Sequence, residues 1–140
     1  MLTQIFSNIP ATELLNENTI LAVMPFVGDC EPAVPGIIHS GLSALDAAKT
    51  TEAWVVDDVV TRGSTGECHW SKTSDLICVA YWINVAILDN LENEVCLAYR
   101  AVFSVFEEQG FKHPFRFWNY VPNINHGDGD KEIYKRFCAG

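Results

Sequence analysis

The sequence predicts an α+β fold in which a single sheet carries helices on one face. Three observations lead there. Short runs rich in β-branched and aromatic residues, separated by Gly, Pro and Asp, fill the chain up to Leu88. An apolar stripe at helical spacing then runs from Leu91 to Gln109. Beyond it come an alternating aromatic run and a second, shorter helical pattern. At 140 residues the chain is long enough for one hydrophobic core. It reads as one domain, with residues 1–40 an N-terminal extension plus an edge strand and residues 41–140 the core.

Taken in order, Thr19 to Val27 reads as a strand, and Pro25, which has no N–H to give a ladder, places it at an edge or a bend. Cys30 to Gly36 holds two prolines and reads as a loop. Leu42 to Ala48 fits one or two helical turns, with Ser40 or Ser43 as cap. A meander follows. Ala53 to Thr61 is a strand, Gly63-Ser64-Thr65-Gly66 a turn, Glu67 to Ser71 the returning strand, and Leu76 to Leu88 a long apolar strand covered on both faces.

The Leu91 to Gln109 helix has all three of its signals. Asp89 with Glu92 forms a capping box. Leu91, Val95, Ala98 or Tyr99, Val102 and Phe106 make the stripe. Gly110 supplies the left-handed residue past the end, letting Phe111 fold back on Phe106. His113 to Val121 is the next strand, with Arg116, Trp118 and Tyr120 on one face and Phe115, Phe117 and Asn119 on the other. Asp128 or Asp130 caps a last helix, Lys131 to Cys138, with Ile133, Tyr134 and Phe137 facing inward and Lys131, Lys135 and Arg136 on a solvated face.

Nine basic against eighteen acidic residues give a net charge of −9, which repels phosphate backbones and excludes nucleic acid as a partner. Charged residues make up 19% of the chain, against roughly a quarter in a typical domain. Part of the surface is therefore expected to lie under another domain or subunit. Five cysteines, Cys30, Cys68, Cys78, Cys96 and Cys138, form no CxxC pair and read as buried free thiols in a reducing cytoplasm. The first ten residues lack a signal-peptide pattern, and the apolar run from Leu76 to Leu88, interrupted by Asn84, is too short to cross a bilayer.

Chemistry-bearing constellations are few. Asp128-Gly129-Asp130 lacks the spaced ligands of a calcium loop. Cys68-His69 and Asp57-Asp58 are adjacent strand residues that point to opposite faces, so neither pair builds one site. Gly63 and Gly66 flank a turn rather than opening a helix, and no GxSxG motif occurs. His126, in a glycine-rich loop, reads as a solvated bystander. What remains is the stretch Phe115-Arg116-Phe117-Trp118-Asn119-Tyr120-Val121-Pro122-Asn123-Ile124-Asn125, with four aromatic rings, an arginine and three amides. It marks either a ligand site or an interface.

Arg116-Phe117-Trp118-Asn119-Tyr120-Val121-Pro122-Asn123-Ile124-Asn125, followed by Tyr134-Lys135-Arg136-Phe137-Cys138-Ala139-Gly140, resembles the chorismatase family. That family, which takes in FkbO-like enzymes and bifunctional hydroxybenzoate synthases and is also labelled pteridine-dependent deoxygenase-like, carries an R-x-W-N-Y-x-P-x-I-N run. A short helix reading Y-x-x-F-C-x-G-R comes after that run. The resemblance extends back to about Glu52.

The resemblance implies a RidA/YjgF-like (chorismate mutase-like) fold, a mixed sheet with two helices on one face. It also implies pairing with a second RidA-like domain or a homo-oligomer. It implies hydrolysis of chorismate to pyruvate plus a hydroxybenzoate or dihydroxycyclohexadiene carboxylate, with no metal or organic cofactor. The family's acid and substrate-binding residues lie mainly in its C-terminal half, and this chain ends at Gly140, just before the arginine of the G-R pair. The expectation is a structural N-terminal domain, lacking the final strands of its sheet and inactive alone. Two alternatives stay open: a stand-alone RidA-like imine or enamine deaminase with an intersubunit cleft, and a small-ligand binding module. Arg116, Trp118, Asn119, Tyr120 and Asn125 are the candidate ligand-binding or interface residues, and no catalytic residue is carried over.

Overall fold

Leu2–Ser7 contains no charge, glycine or proline, and it forms a β-strand, β1, within the stretch expected to be an extension. The computed structural model describes residues 1–26, 34–45, 50–83 and 89–140. They fall into two compact units, Met1–Ala80 and Tyr81–Gly140.

In the first unit, β1 is followed by a single helical turn, α1 (Ala11–Leu14), and by β2 (Ile20–Pro25). The next strand, β3 (Thr51–Val56), lies between them, antiparallel to both, giving the order β1-β3-β2. Its middle position explains why Ala53 is fully buried. On one side Ala11 and Leu14 of α1 pack with Ile20, Val23, Ile37 and Ala53. A second cluster joins Leu21, Val56 and Val60 to Trp54, Leu76 and Cys78.

The placing of Pro25 at an edge strand is confirmed, because β2 is an outer strand of this sheet. Its free side is covered all the same. Val23 donates to the Gly36 carbonyl and accepts from Ile38, each at 2.8 Å, forming an isolated parallel bridge to Ile37. The register slips between Ile20 and Ala22. There the Arg62 guanidinium donates to the Ile20 carbonyl and the Ser71 hydroxyl to the Leu21 carbonyl. A bulge that would leave carbonyls unpaired is thus satisfied by side chains from other strands.

A second antiparallel sheet, rather than a continuation of the first, holds β4 (Thr61–Thr65), β5 (Cys68–Lys72) and β6 (Ile77–Tyr81) in that order. The single expected sheet is corrected to two three-stranded ones among the described residues. The break comes after Val56. There the Asp58 carboxylate accepts the N–H of Val59 (2.7 Å) and the N–H and hydroxyl of Ser74 (3.4 and 3.1 Å). Those bonds hold the chain out of the ladder, and they lower the Asp58 pKa, the Val59 bond most.

The expected four-residue turn shrinks to Gly66 and Glu67, since Thr65 pairs directly with Cys68. Gly66 takes φ +56° at the first central position, where a type II′ hairpin needs glycine. Gly63 instead sits inside β4 opposite Trp70, and a Cβ there would overlap the indole. The helix expected over 42–48 is absent at 41–45, where the Leu42 N–H bonds the Ser40 hydroxyl at 3.2 Å, and its remainder lies outside the described residues. The apolar strand ends at Tyr81, and residues 84–88 of the expected run also lie outside them.

The second unit is built on α2 (Leu91–Glu108) and α3 (Ile133–Ala139). The C-terminal signal of α2 is confirmed bond by bond. Phe111 N–H reaches the Phe106 carbonyl at 2.8 Å, Gly110 N–H reaches Glu107 at 3.1 Å, and Gly110 has φ +84°. That is the Schellman pattern. The capping box is not formed. Asn90 occupies the N-cap without a side-chain bond, and Glu92 is bound elsewhere. Leu91, Val95, Ala98 and Val105 are buried, so the stripe drifts onto Val105 near its end. Leu91 and Val95 pack with Ile133, joined by Ile83, Tyr99, Val121 and Phe137.

Candidate functional site

The aromatic stretch leaves the C-terminus of α2 and runs back along it. Residues 112–121 form no strand, contrary to the expected ladder over 113–121, yet Arg116 still groups with Trp118 and Phe117 with Asn119, whereas Phe115, expected beside Phe117, is exposed. Phe117 turns toward α2, its ring centroid 5.5 Å from Tyr99 and 5.9 Å from Phe103, both tilted. Asn119 turns the same way, its amide donating to the Tyr99 hydroxyl at 3.1 Å. Tyr99 and Phe103 are four residues apart and share one face of the helix, which fixes the spacing of the two contacts. On the opposite side the Arg116 guanidinium lies 4.7 Å from the Trp118 ring centroid, a cation–π stack. Two-residue periodicity therefore comes from packing against a helix here, not from a hydrogen-bonded sheet.

After Val121 the chain turns. Asn123 is the single non-glycine residue with positive φ among those described, at +51°, a region asparagine tolerates. His126 N–H closes on the Asn123 carbonyl at 2.7 Å. Ile124 and His126 carbonyls accept from Tyr134 and Ile133 at 2.9 and 3.0 Å, tying this loop to the first turn of α3. Those bonds set the entry to α3, so neither Asp128 nor Asp130 acts as its cap, and Glu132 holds the N-cap without a side-chain bond. An open hollow of about 460 Å³ is lined by Val121, Asn123, Ile124, Asn125 and His126. A second, more apolar hollow of about 390 Å³ lies at the end of α2, among Phe103, Phe106, Gly110, Phe111 and Pro114.

Of the candidate residues, Arg116 is thus brought onto Trp118 and Asn119 onto Tyr99, whereas Asn125 belongs to the separate hollow beyond Pro122. Tyr120, like Trp118, is partly exposed. Phe115 beside them is more open than either, at 73%.

The solvated-face reading fails for Arg136. Its Nε meets Glu92 Oε1 at 2.7 Å and its terminal nitrogen meets Oε2 at 2.9 Å, a two-pronged bond from α3 to the first turn of α2. The bonds from Arg136 depress the Glu92 carboxyl to about 2, and the same bonds raise Arg136. Tyr134, expected inside, is 53% exposed, because Ile133 and Phe137 alone reach the core. The contacts of Tyr99 with Phe117 and Asn119 and the Glu92–Arg136 pair are absent from the sequence reading. The i, i+4 relation of Tyr99 to Phe103 was an available signal for the first, but nothing local signalled the second.

Burial works against nucleophile chemistry at two of the described thiols. Burial pushes Cys78 up to about 12, and burial followed by the Glu67 charge raises Cys68. Cys138, expected buried, is exposed, and its bond to Tyr134 raises the Tyr134 hydroxyl. Cys30 lies outside the described residues. Ser64 Oγ and His69 Nδ1 are 2.8 Å apart across the β4–β5 hairpin, a pairing the sequence reading missed and one with no carboxylate bonded to either in the described residues. Among the described residues no His, Cys, Asp and Glu side chains gather in a metal-sized group, and no helix is long and apolar enough to cross a membrane.

Residues 52–140 match the chorismatase FkbO/Hyg5-like N-terminal family. The chain belongs to that family. The matched span takes in β3, the second sheet, α2, the aromatic stretch and α3. The sequence is also similar to a 3-hydroxybenzoate synthase of Streptomyces hygroscopicus, 26% identical over 128 residues. That similarity covers 86% of this chain and 36% of the synthase, so the chain spans about a third of its relative's length. Within the FkbO/Hyg5-like chorismatases, it corresponds to the N-terminal domain, and its R-x-W-N-Y-x-P-x-I-N run lies inside the matched residues.

Proposed function

We propose that this chain serves chorismate cleavage to pyruvate and a hydroxybenzoate or dihydroxycyclohexadiene carboxylate as a supporting N-terminal domain, and that it does not turn over chorismate alone. The observation that carries this reading is the state of the aromatic stretch within a family-matched domain. Phe115 and Trp118 remain 73% and 41% exposed, with Arg116 laid on Trp118 rather than aimed into an enclosed cavity. Large rings left partly open beside a neighbour, Phe117, that is packed on α2 are what an interface core offers before its partner arrives. The partner in this reading is a second domain of RidA-like fold, or another copy, in the cytoplasm. A RidA-like assignment of this domain is supported by the order of the second sheet, α2, aromatic stretch and α3.

The test is direct. The purified chain is incubated with chorismate and pyruvate is followed by a coupled assay, with no release above the buffer rate expected. Turnover at enzyme-like rates would overturn the supporting role. A Trp118→Ala, Phe115→Ser double variant should leave this chain folded by circular dichroism while weakening its capture of the remaining part of a chorismatase. Unchanged capture would remove the interface role of the aromatic stretch.

A further inference from the structure

The two outer strands of the first sheet are treated in opposite ways. Along β2 the free side is filled by Gly36, Ile38, Arg62 and Ser71. Along β1 nothing comparable is found among the described residues, and five of its six side chains are exposed. Leu2, Ile5 and Phe6 stand 43%, 38% and 50% open. Bare edges in native proteins are normally guarded by lysine, proline, a bulge or brevity. The sequence Leu-Thr-Gln-Ile-Phe-Ser has no charge and no proline, and its register with β3 runs unbroken from Leu2 to Ser7. Such an edge is built to be paired.

We propose that β1 pairs antiparallel with β1 of a second copy of this chain, joining two three-stranded sheets into one of six strands. This goes beyond the proposed function and rests on a different unit from the aromatic stretch. Self-pairing is favoured because the edge complements itself. A two-fold axis normal to the sheet must place one residue opposite itself, since side chains keep their face under that rotation. With Gln4 on the axis, Leu2 faces Phe6 of the second copy and Thr3 faces Ile5, so apolar meets apolar and β-branched meets β-branched. Moving the axis to Ile5 sets Gln4 against Phe6 and loses that match. Charge agrees. The chain carries −9, but β1 itself has no charged side chain, the Asp57 carboxylate beside its start is paired with the Met1 ammonium at 2.8 Å, and Glu52 is bonded by the Gln4 amide and the Trp54 indole, each at 2.6 Å.

The experiment uses the whole chain. Light scattering across a concentration series should show a dimer mass, and Ile5→Lys should return it to monomer while the far-UV spectrum is unchanged. In the stated register Gln4→Cys brings two sulfurs together at directly opposed positions, whereas Thr3→Cys does not. Mild oxidation should therefore give several-fold more covalent dimer with Gln4→Cys than with Thr3→Cys or the parent. The parent and Thr3→Cys report any background from Cys138, the exposed native thiol among those described. A parent that stays monomeric, whether its edge is bare or takes a strand of another protein, overturns the proposal. So does a dimer that survives Ile5→Lys with equal cross-linking at positions 3 and 4.

Discussion

Removing the Phe117 ring tests whether the aromatic stretch is held by α2. Phe117 meets two rings, Tyr99 at 5.5 Å and Phe103 at 5.9 Å, both within the 4.5–7 Å range of favourable tilted pairs. Each such pair is worth about 0.5–1.5 kcal/mol beyond burial. The side chain is also just over half covered, which adds about 1 kcal/mol of hydrophobic transfer. Phe117→Ala should therefore cost about 2–4 kcal/mol, toward the lower end of full Phe deletions because no sealed cavity is left. Urea unfolding followed at 222 nm reports it, since α2 is the longest helix described. A cycle of Tyr99→Leu, Phe117→Leu and the double variant isolates the pair and should give a coupling of about 0.5–1.5 kcal/mol. Additivity within about 0.3 kcal/mol would refute the contact and the placement of the stretch along α2.

The Glu92–Arg136 bond predicts a defined pH window. A carboxyl depressed from 4.5 to about 2 in the folded state contributes stability that is fully present above 4.5 and is lost as pH falls toward 2. The urea midpoint of Glu92→Gln should accordingly lie below that of the parent at neutral pH and converge with it near the acid limit. Gly63→Ala places a methyl against the Trp70 indole and should destabilise by about 1–3 kcal/mol in thermal or urea melts, with Trp70→Leu in the same chain restoring part of the loss. Thiol titration of the native chain should label Cys138 quickly and leave Cys78, pushed up to about 12 by burial, unreactive until denaturant is added.

Signals that close within a few residues were legible in the sequence, and those that depend on a distant partner were not. The end of α2 followed from Gly110 and Phe111 because a Schellman motif spans one turn. Its first residue, Leu91, was legible too, but the cap before it was not, because Glu92 could serve either Asp89 three residues back or Arg136 forty-four residues on, and the guanidinium is the stronger partner. Strand β1 was missed for the same reason, since its existence rests on a register with β3 some fifty residues away. Gly63 misled differently: a glycine beside a turn signal was assigned to the turn, when its role is to make room for Trp70 on the neighbouring strand.

The aromatic stretch shows how a correct pattern can come from another cause. Alternation put Arg116 with Trp118 and Phe117 with Asn119, and the structure keeps both groupings. What sorts them is a helix surface on one side and its lack on the other. A sheet ladder would fix all these residues through backbone bonds whatever their side chains. Packing on α2 holds the stretch through Phe117, Asn119 and Val121, while Phe115 and Trp118 keep 73% and 41% of their surface open. This is why the stretch fits an interface better than a finished site: its inner half is spent on holding position, and its outer half carries rings whose remaining exposed surface, 73% for Phe115 and 41% for Trp118, burial would favour by about 1–2 kcal/mol each. The low charged fraction of 19% points the same way, since a surface designed to stay in water would carry more charge. If Trp118→Ala and Phe115→Ser leave stability unchanged while Phe117→Ala lowers it, the division between holding and presenting side chains is as described. Equal losses at all three would mean that the outer rings are part of the domain's own core.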